Sequence, residues 1–412
     1  MKWIRYFNNA EISVKNKFYE GIYAEGMSKI MRKVYADNSS TSFPKAPGVS
    51  DAIKDFIDNT GCNVNRGGYE SSYNVALEIL ATRKLLCELF NFDNPRNVIF
   101  TPGITYSLNM ILKGFLRGCD HVITTSMEHN GVMRPLHELS GKGVSYDIVP
   151  CNIDGSLNPA DITKLINGKT KAVIMTHASN VCGTVLPIYD ISEICAKHGI
   201  KLIVDSAQTA GILELDMTCI DALAFTCHKG LLGAQGLGGF LVKSDFAERI
   251  DPIITGGTGS KSHEFIQPSI LPDKYESGTM NIPAIMGFKK SLEYIHHVGV
   301  KTIFEREMSC TEKFIYEMSK IKDIRIVGKN SLQDRIAVVS LDFINRDNAD
   351  IASILDSDYG IMTRCGLHCA PIAHKTLQTY PQGTVRFSFG HFNTLEDIEY
   401  LVLSIKNILK RG

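Results

Sequence analysis

No stretch of the 412 residues approaches the ~20 apolar residues that a bilayer-spanning helix needs, so a membrane protein is not expected. Surplus charge is lacking too, since Lys+Arg and Asp+Glu are both 44. A dedicated nucleic-acid binder or polybasic surface protein would carry excess positive charge, and neither is expected. The start has no leader pattern of basic, apolar and small residues, and the chain has no CxxC pair, low-complexity tract or internal repeat. Eleven cysteines, odd in number and scattered, read as reduced thiols of a cytoplasmic protein rather than a disulfide framework. The one dense cluster, Cys365, His368 and Cys369, lacks further ligands at zinc spacing, so no metal is expected.

What is present is a globular composition, 44% hydrophobic and 21% charged, in a chain long enough for two domains. Residues 1–33 form a mixed N-terminal extension with the makings of an amphipathic arm and no legible role. From Val34 the pattern alternates. Strand-like runs fall at Val98–Phe100, His121–Thr124, Val144–Val149, Ala172–Thr176, Leu202–Val204, Ala222–Phe225 and Phe240–Val242. Helix-like segments lie near Thr105–Leu116, Val132–Leu139, Pro159–Leu165 and Ile188–His198. Such alternation predicts an α/β domain over 34–283 built on a mostly parallel sheet, with ligands beyond the carboxyl ends of the strands. After Pro283 the register changes. Helical stretches at Ala284–His297 and Thr302–Lys320 precede strands near Ile324–Val327, Arg335–Leu341 and Val385–Phe389, with helices at Ala349–Asp358 and Leu395–Leu409. This predicts a smaller α+β domain over 284–412.

The richest segment is Asp221–Val242, DALAFTCHKGLLGAQGLGGFLV. A buried strand runs into Thr226, His228 and Lys229, then a glycine-studded turn. An amine at the end of a buried strand is desolvated, and its neutral form condenses with an aldehyde cofactor. A surface lysine beside a flexible loop would look the same. Asp205, ending KLIVD, can salt-bridge a pyridinium nitrogen or simply cap a helix. Thr101–Thr105 joins a strand to a helix and makes an anion site or an ordinary cap. His129, in SMEHNGVMRPL, can stack on a planar cofactor, and Asn180, in THASNVCGT, can bind substrate or form a turn. Arg364 and Arg386 suit bidentate carboxylate binding. With Cys369 in a Gly/Pro-flanked and hence exposed loop, they suggest an amino acid that carries sulfur, unless Cys369 is an inert thiol.

Together these stretches resemble the class V aminotransferase-fold enzymes, in particular the cysteine desulfurases with the short catalytic loop (type II-like). The resemblance runs from about Val34 to Leu409. It is carried by YADNSSTSFPKAPGV, NVNRGGYESS, FTPGITYSLNM, SMEHNGVMRPL, ASNVCGTVLPI, VDSAQTAG, FTCHKGLLGAQGLGGFLV, GGTGS, YESGTMNIPA, TRCGLHCAP and GTVRFSFGHFNT. It implies a pyridoxal 5'-phosphate (PLP) enzyme of fold type I, with a seven-stranded large sheet and the catalytic cysteine on the smaller domain. Lys229 would be the Schiff-base lysine, Asp205 the partner of the pyridine nitrogen, Gln208 a contact of the ring hydroxyl, and His129 the stacking ring. Thr105, Thr226 and His228 would hold the phosphate, joined by Thr279 from the other subunit of a homodimer. Asn180, Arg364 and Arg386 would bind substrate, and Cys369 would take the sulfur as a persulfide for a protein acceptor.

The implied reaction converts L-cysteine to L-alanine. A selenocysteine lyase or cysteine-sulfinate desulfinase would use the same site; an aminotransferase would not need Cys369, and a non-enzymatic sulfur carrier would not need Lys229 and Asp205. Four features depart from the usual pattern. DNAAT is replaced by Asp37-Asn38-Ser39-Ser40-Thr41, and Ile104 and Tyr106 occupy phosphate-loop positions that are commonly small and acidic. Cys227 precedes the HK pair, and Cys365 stands where Ser, Thr or Gly is usual. The two cysteines read as small-residue replacements, or Cys365 as a resolving thiol for Cys369.

Overall fold

The computed structural model describes residues 32–64 and 67–411, so the N-terminal extension lies outside the described residues save Arg32 and Lys33. The strands, in chain order, begin with β1 (Val34–Tyr35), β2 (Val98–Thr101), β3 (His121–Thr125), β4 (Ser145–Val149), β5 (Thr170–Thr176) and β6 (Lys201–Asp205). They continue with β7 (Ala222–Thr226), β8 (Gly238–Val242), β9 (Ile324–Val327), β10 (Val338–Phe343), β11 (Ile361–Met362), β12 (Arg364–Gly366) and β13 (Thr384–Ser388).

The seven runs that read as strands make one sheet, in the order β2-β8-β7-β6-β5-β3-β4. Its pairs are parallel except those of β8, which runs against both β2 and β7. Alternate side chains of each strand enter two different cores. Val98, Phe100, Val173, Met175, Leu223 and Phe225 pack on one face, and Ile99, Ala172, Ile174, Ile203, Ala222 and Ala224 on the other. Burial on both faces is why these strands are near-continuous apolar runs rather than alternating ones. Parallel pairing of β5, β6 and β7 brings their carboxyl ends to one end of the sheet, where Thr176, Asp205 and Thr226 stop.

The smaller sheet is antiparallel, ordered β12-β13-β10-β9. Helices Val300–Met318, Asn348–Tyr359 and Leu395–Lys410 contribute Phe314, Leu355 and Leu401 to a third core against it. β1 pairs in parallel with β11, and Asp37 bridges to Ser388, so the segment after Lys33 lies with residues near the other end of the chain. Of the elements that differ from expectation, a long helix and a short strand matter most here. Helix Glu70–Leu89 is not signalled, because Tyr73 (62% exposed), Leu77 (63%) and Leu80 (37%) put apolar groups on its outer face and blur the stripe. Arg364–Gly366, read as loop, is strand β12, held by pairing to β13 rather than by its own propensity. Among the described residues no helix is long and apolar enough to cross a membrane.

Candidate active site

β7 delivers the chain to the sheet edge, and Cys227–Leu232 turns back at once, with Gly233 N–H on the Cys227 carbonyl (2.7 Å) and Leu232 N–H on the Lys229 carbonyl (2.8 Å). The His228 carbonyl accepts from Ser42 N–H (2.8 Å), Thr41 Oγ1 (3.1 Å) and Lys45 Nζ (3.1 Å), which fixes the backbone that carries Lys229. Cys227 points into the core, where burial pushes its thiol well up; it is filler. Glycine is required at 238, since a Cβ there would come within 2.7 Å of the Phe225 carbonyl and 2.9 Å of the Ile104 nitrogen. That contact lets β8 pass directly beneath the start of helix Ile104–Phe115.

Burial holds the Lys229 amine down at about 8, with Asp205 pulling it up and Arg386 and Arg364 pushing it down. Asp205 is buried, takes one hydrogen bond from Ala207 N–H (2.9 Å), and is pushed up by that burial. A buried carboxylate with a single hydrogen-bond donor is under-compensated, and so suits a cationic N–H partner. His129 caps helix Asn130–Ser140 by accepting Gly131 N–H on Nδ1 (2.9 Å), which leaves the proton of the neutral ring on Nε2. Burial, then Lys229, Arg364 and Arg386, hold it at about 4, so it is neutral. Gln208 donates to the Ser39 carbonyl (3.1 Å) and shares a small cavity of about 40 Å³ with Lys229.

Thr105 is exposed in the first turn of helix Ile104–Phe115, Thr226 is buried at the end of β7, and His228 has a buried Nδ1 with no hydrogen-bond partner. Thr279 stands apart. It is exposed and lines a separate cleft of about 260 Å³ with Gly257, Asp273 and Met280. Its segment is anchored by Glu276, which binds Arg83 (2.7 Å) and accepts Phe100 N–H (2.7 Å).

The other side of the site is the cysteine loop. Cys369 is exposed, and both it (φ 58°) and His368 (φ 48°) lie in the left-handed region, which costs strain that the surroundings must offset. Several contacts hold the loop, among them that of His368 Nε2 with Thr384 Oγ1 (3.1 Å). Asn180 Nδ2 donates to the His368 carbonyl (2.8 Å), Asn130 N–H donates to the Cys369 carbonyl (2.8 Å), and Arg364 Nη2 donates to Cys369 Sγ (3.6 Å). The Asn180 side-chain amide thus serves the loop. Arg386, 1% exposed, donates to the Asn180 carbonyl (2.9 Å) and to Asp37 Oδ1 (2.8 Å), leaving a buried Nε without a partner. Cys365 faces away. Side chains alternate along β12, and Arg364 already occupies the face that reaches Cys369.

Three groups escaped sequence reasoning. Glu128, next to His129, is buried, accepts Thr125 Oγ1–H (2.6 Å) and Thr176 N–H (3.0 and 3.1 Å), and is pushed by burial up to about 8. The others are Asp37 and Ser40, whose arginine partners lie more than three hundred residues away. No local signal marks any of them.

A family model for class-V aminotransferases matches residues 34–401. A probable cysteine desulfurase of Methanothermobacter thermautotrophicus is 30% identical over 385 residues, covering 92% of this chain and 95% of the relative. Another from Staphylococcus aureus is 30% identical over 397 residues, covering 91% and 92%. Among solved structures, an apo cysteine desulfurase from Thermococcus onnurineus superposes with a TM-score of 0.86 at 28% identity, over 92% of this chain and 95% of that one. The cysteine desulfurase CsdA of Escherichia coli gives 0.83 at 25% identity, over 92% and 95%.

Proposed function

The chain belongs to the class-V aminotransferase family, and we propose that it is a PLP-dependent cysteine desulfurase that turns L-cysteine into L-alanine and leaves the sulfur on Cys369. The observation that carries this reading is the pairing of a desolvated amine, Lys229, with an exposed thiol, Cys369, across two shared arginines.

The residues fit the cofactor. Asp205 is the under-compensated carboxylate for a ring N–H, His129 is a neutral ring for stacking, and Gln208 and Lys229 border one cavity. The unpartnered His228 Nδ1, with Thr226, Thr105 and the helix start at Ile104, would hold the phosphate. Bound there, the cofactor supplies an electron sink at the substrate Cα.

The rest is the work of this chain's own groups. Lys229, with its free amine favoured by burial, takes the Cα proton. Arg386, with Asn180 beside it, receives the substrate carboxylate through the donor it has not committed. Cys369 Sγ, oriented by the hydrogen bond from the Arg364 guanidinium, gives up its proton and attacks the substrate sulfur. An S–S bond forms and the C–S bond breaks. Its electron pair stays with the β-carbon, which is protonated to become the methyl of alanine, and Lys229 returns a proton to Cα. Exposure of Cys369 suits onward delivery of the sulfur to a protein acceptor.

We take the chain to act as a cytoplasmic homodimer. Thr279 lies in its own cleft, and helix Glu70–Leu89 presents Tyr73, Leu77 and Leu80 outward, so a second copy would cover the stripe and bring Thr279 to the phosphate. Residues 34–283 and 284–412 would be the two domains. The test is turnover of L-cysteine with alanine and sulfide both measured, wild type against Cys369→Ala. Loss of sulfide in the variant is expected; equal sulfide release would overturn the role of Cys369.

A further inference from the structure

Arg364 and Arg386 are directly opposed on the antiparallel pair β12–β13, so two guanidiniums share one face of the small sheet at cross-strand distance. Like charges so placed repel, and each would turn away unless held. What holds them is the Ser40 hydroxyl. It accepts from Arg364 Nη1 (3.0 Å) and Arg386 Nη2 (2.8 Å), and donates its own proton to Asp37 Oδ1 (2.8 Å). A serine hydroxyl has one proton and two lone pairs, and all three are used here. Asp37 binds Arg386 Nη2 directly as well (2.8 Å), so one carboxylate compensates both arginines, the second through Ser40.

The turn under Ser40 is itself fixed to β13. Asn38 Nδ2 donates to the Ser388 carbonyl (3.0 Å) and Ser39 N–H to Ser388 Oγ (2.9 Å). Arg386 would keep Asp37 and the Asn180 carbonyl without Ser40. Arg364 would keep only Cys369 Sγ. The hydroxyl is also a departure of this chain, since the resembled DNAAT block has alanine where Ser40 stands.

We infer that Ser40 is a positioning residue: its hydroxyl sets the direction in which Arg364 addresses the Cys369 sulfur, and ties that direction to the arginine that binds the substrate carboxylate. The substrate half of this inference rests on the desulfurase reading; the thiol half does not.

The test uses the full chain. In cofactor-free protein at pH 7, the rate of Cys369 alkylation by iodoacetamide, read on the Cys369 peptide by mass spectrometry, is expected to fall roughly 3- to 10-fold in Ser40→Ala, because the guanidinium hydrogen bond to Cys369 Sγ loses its aim. Ser40→Thr, which keeps the hydroxyl, should restore most of the rate. In the cofactor-loaded enzyme, Ser40→Ala should raise KM for L-cysteine by a similar factor while kcat changes less. Unchanged alkylation and KM in Ser40→Ala would overturn the inference. So would a Ser40→Thr variant as impaired as Ser40→Ala and equally lowered in melting temperature, which would make the residue mere packing. A wild type that releases neither alanine nor sulfide would sink the desulfurase reading, while the alkylation rates would still decide the role of Ser40.

Discussion

The two halves of the site are built by opposite means. The Lys229 side is a floor of buried strand ends, in which β5, β6 and β7 stop at Thr176, Asp205 and Thr226 and burial is the largest cause that moves Lys229 and Glu128 to about 8. The Cys369 side is a turn with two left-handed residues that exposes Cys369 between the buried His368 and Ala370, held by Asn180, Asn130 and Arg364. Proton transfer at carbon needs an amine stripped of water, which a closed sheet edge provides. A sulfur that must leave on a second protein needs the surface, and there geometry has to come from hydrogen bonds. Desolvation tunes one side and tethering aims the other.

The largest effects should separate the halves. Lys229→Ala and Cys369→Ala should each lower alanine and sulfide formation by at least ~10³-fold, since in the proposed mechanism each removes a group that handles a reacting atom. Only Lys229→Ala should also lose the visible absorbance of bound cofactor, read by spectrophotometry after adding PLP. Absorbance lost in Cys369→Ala would show that the thiol side helps to build the floor, and would break the comparison.

Gly383→Ala strikes the tethered side from behind. Gly383 has φ 77°, and a Cβ there would fall 2.3 Å from the Gly366 carbonyl on the neighbouring strand. β12 must shift, and Arg364 with it. A cost of about 1–3 kcal/mol in denaturation free energy is expected, with desulfuration reduced by up to ~10²-fold while cofactor absorbance persists. Activity falling only in proportion to absorbance would mean that β12 does not aim the nucleophile.

The floor should reveal itself by pH. Because the folded Lys229 is held at about 8 rather than 10.5, its free amine grows about tenfold per unit up to pH 8 and levels off above it. The rate at which cofactor-free protein captures an aldehyde, trapped with borohydride, should follow that curve. Asp205→Asn removes the charge that pulls Lys229 up, so the rise should move to lower pH. His129, neutral down to about 4, adds no inflection between pH 6 and 9. A rise continuing to pH 10 would show Lys229 to be solvated. Glu128 gives the stability counterpart. Its folded value of about 8 lies above the ordinary 4.5, so the folded state keeps a proton the unfolded chain has lost, and the stability that Glu128 contributes is lost as pH rises from about 4.5 to about 8. Glu128→Gln should flatten that part of the profile, measured as urea midpoints at pH 5 and 8.

The same contrast governs what was legible in the sequence. All seven strands of the large sheet stood out, because two-sided burial writes itself as apolar runs such as ALAFT and KAVIMT. Lys229, Asp205 and His129 stood out because each follows such a run. On the tethered side, Cys369 and Arg364 could be named from composition and resemblance, but not the contacts that orient them. Ser40 meets Arg386 across 346 positions and Asn180 meets His368 across 188, and no periodicity encodes pairs so far apart. β12 is a strand only because β13 is beside it. Helix Glu70–Leu89 was lost for a third reason: its exposed Tyr73 and Leu77 read as core where they are surface.

The smallest effect is expected at Cys365, one residue from Arg364 and on the opposite face of β12. Burial pushes its thiol up, with Asp347 adding to the shift, so it is a poorer nucleophile than an ordinary cysteine. A resolving thiol would need the reverse, a thiolate on the Cys369 side of the strand. Cys365→Ser should therefore change sulfide release by less than about twofold, the size of an ordinary small-residue replacement beside a site. The yield of trapped Cys369 persulfide, measured by mass spectrometry after one turnover without acceptor, should match wild type. Persulfide that accumulates more in Cys365→Ser than in wild type would mean Cys365 normally draws sulfur from Cys369, and that the loop moves far enough to carry its sulfur around the edge of β12.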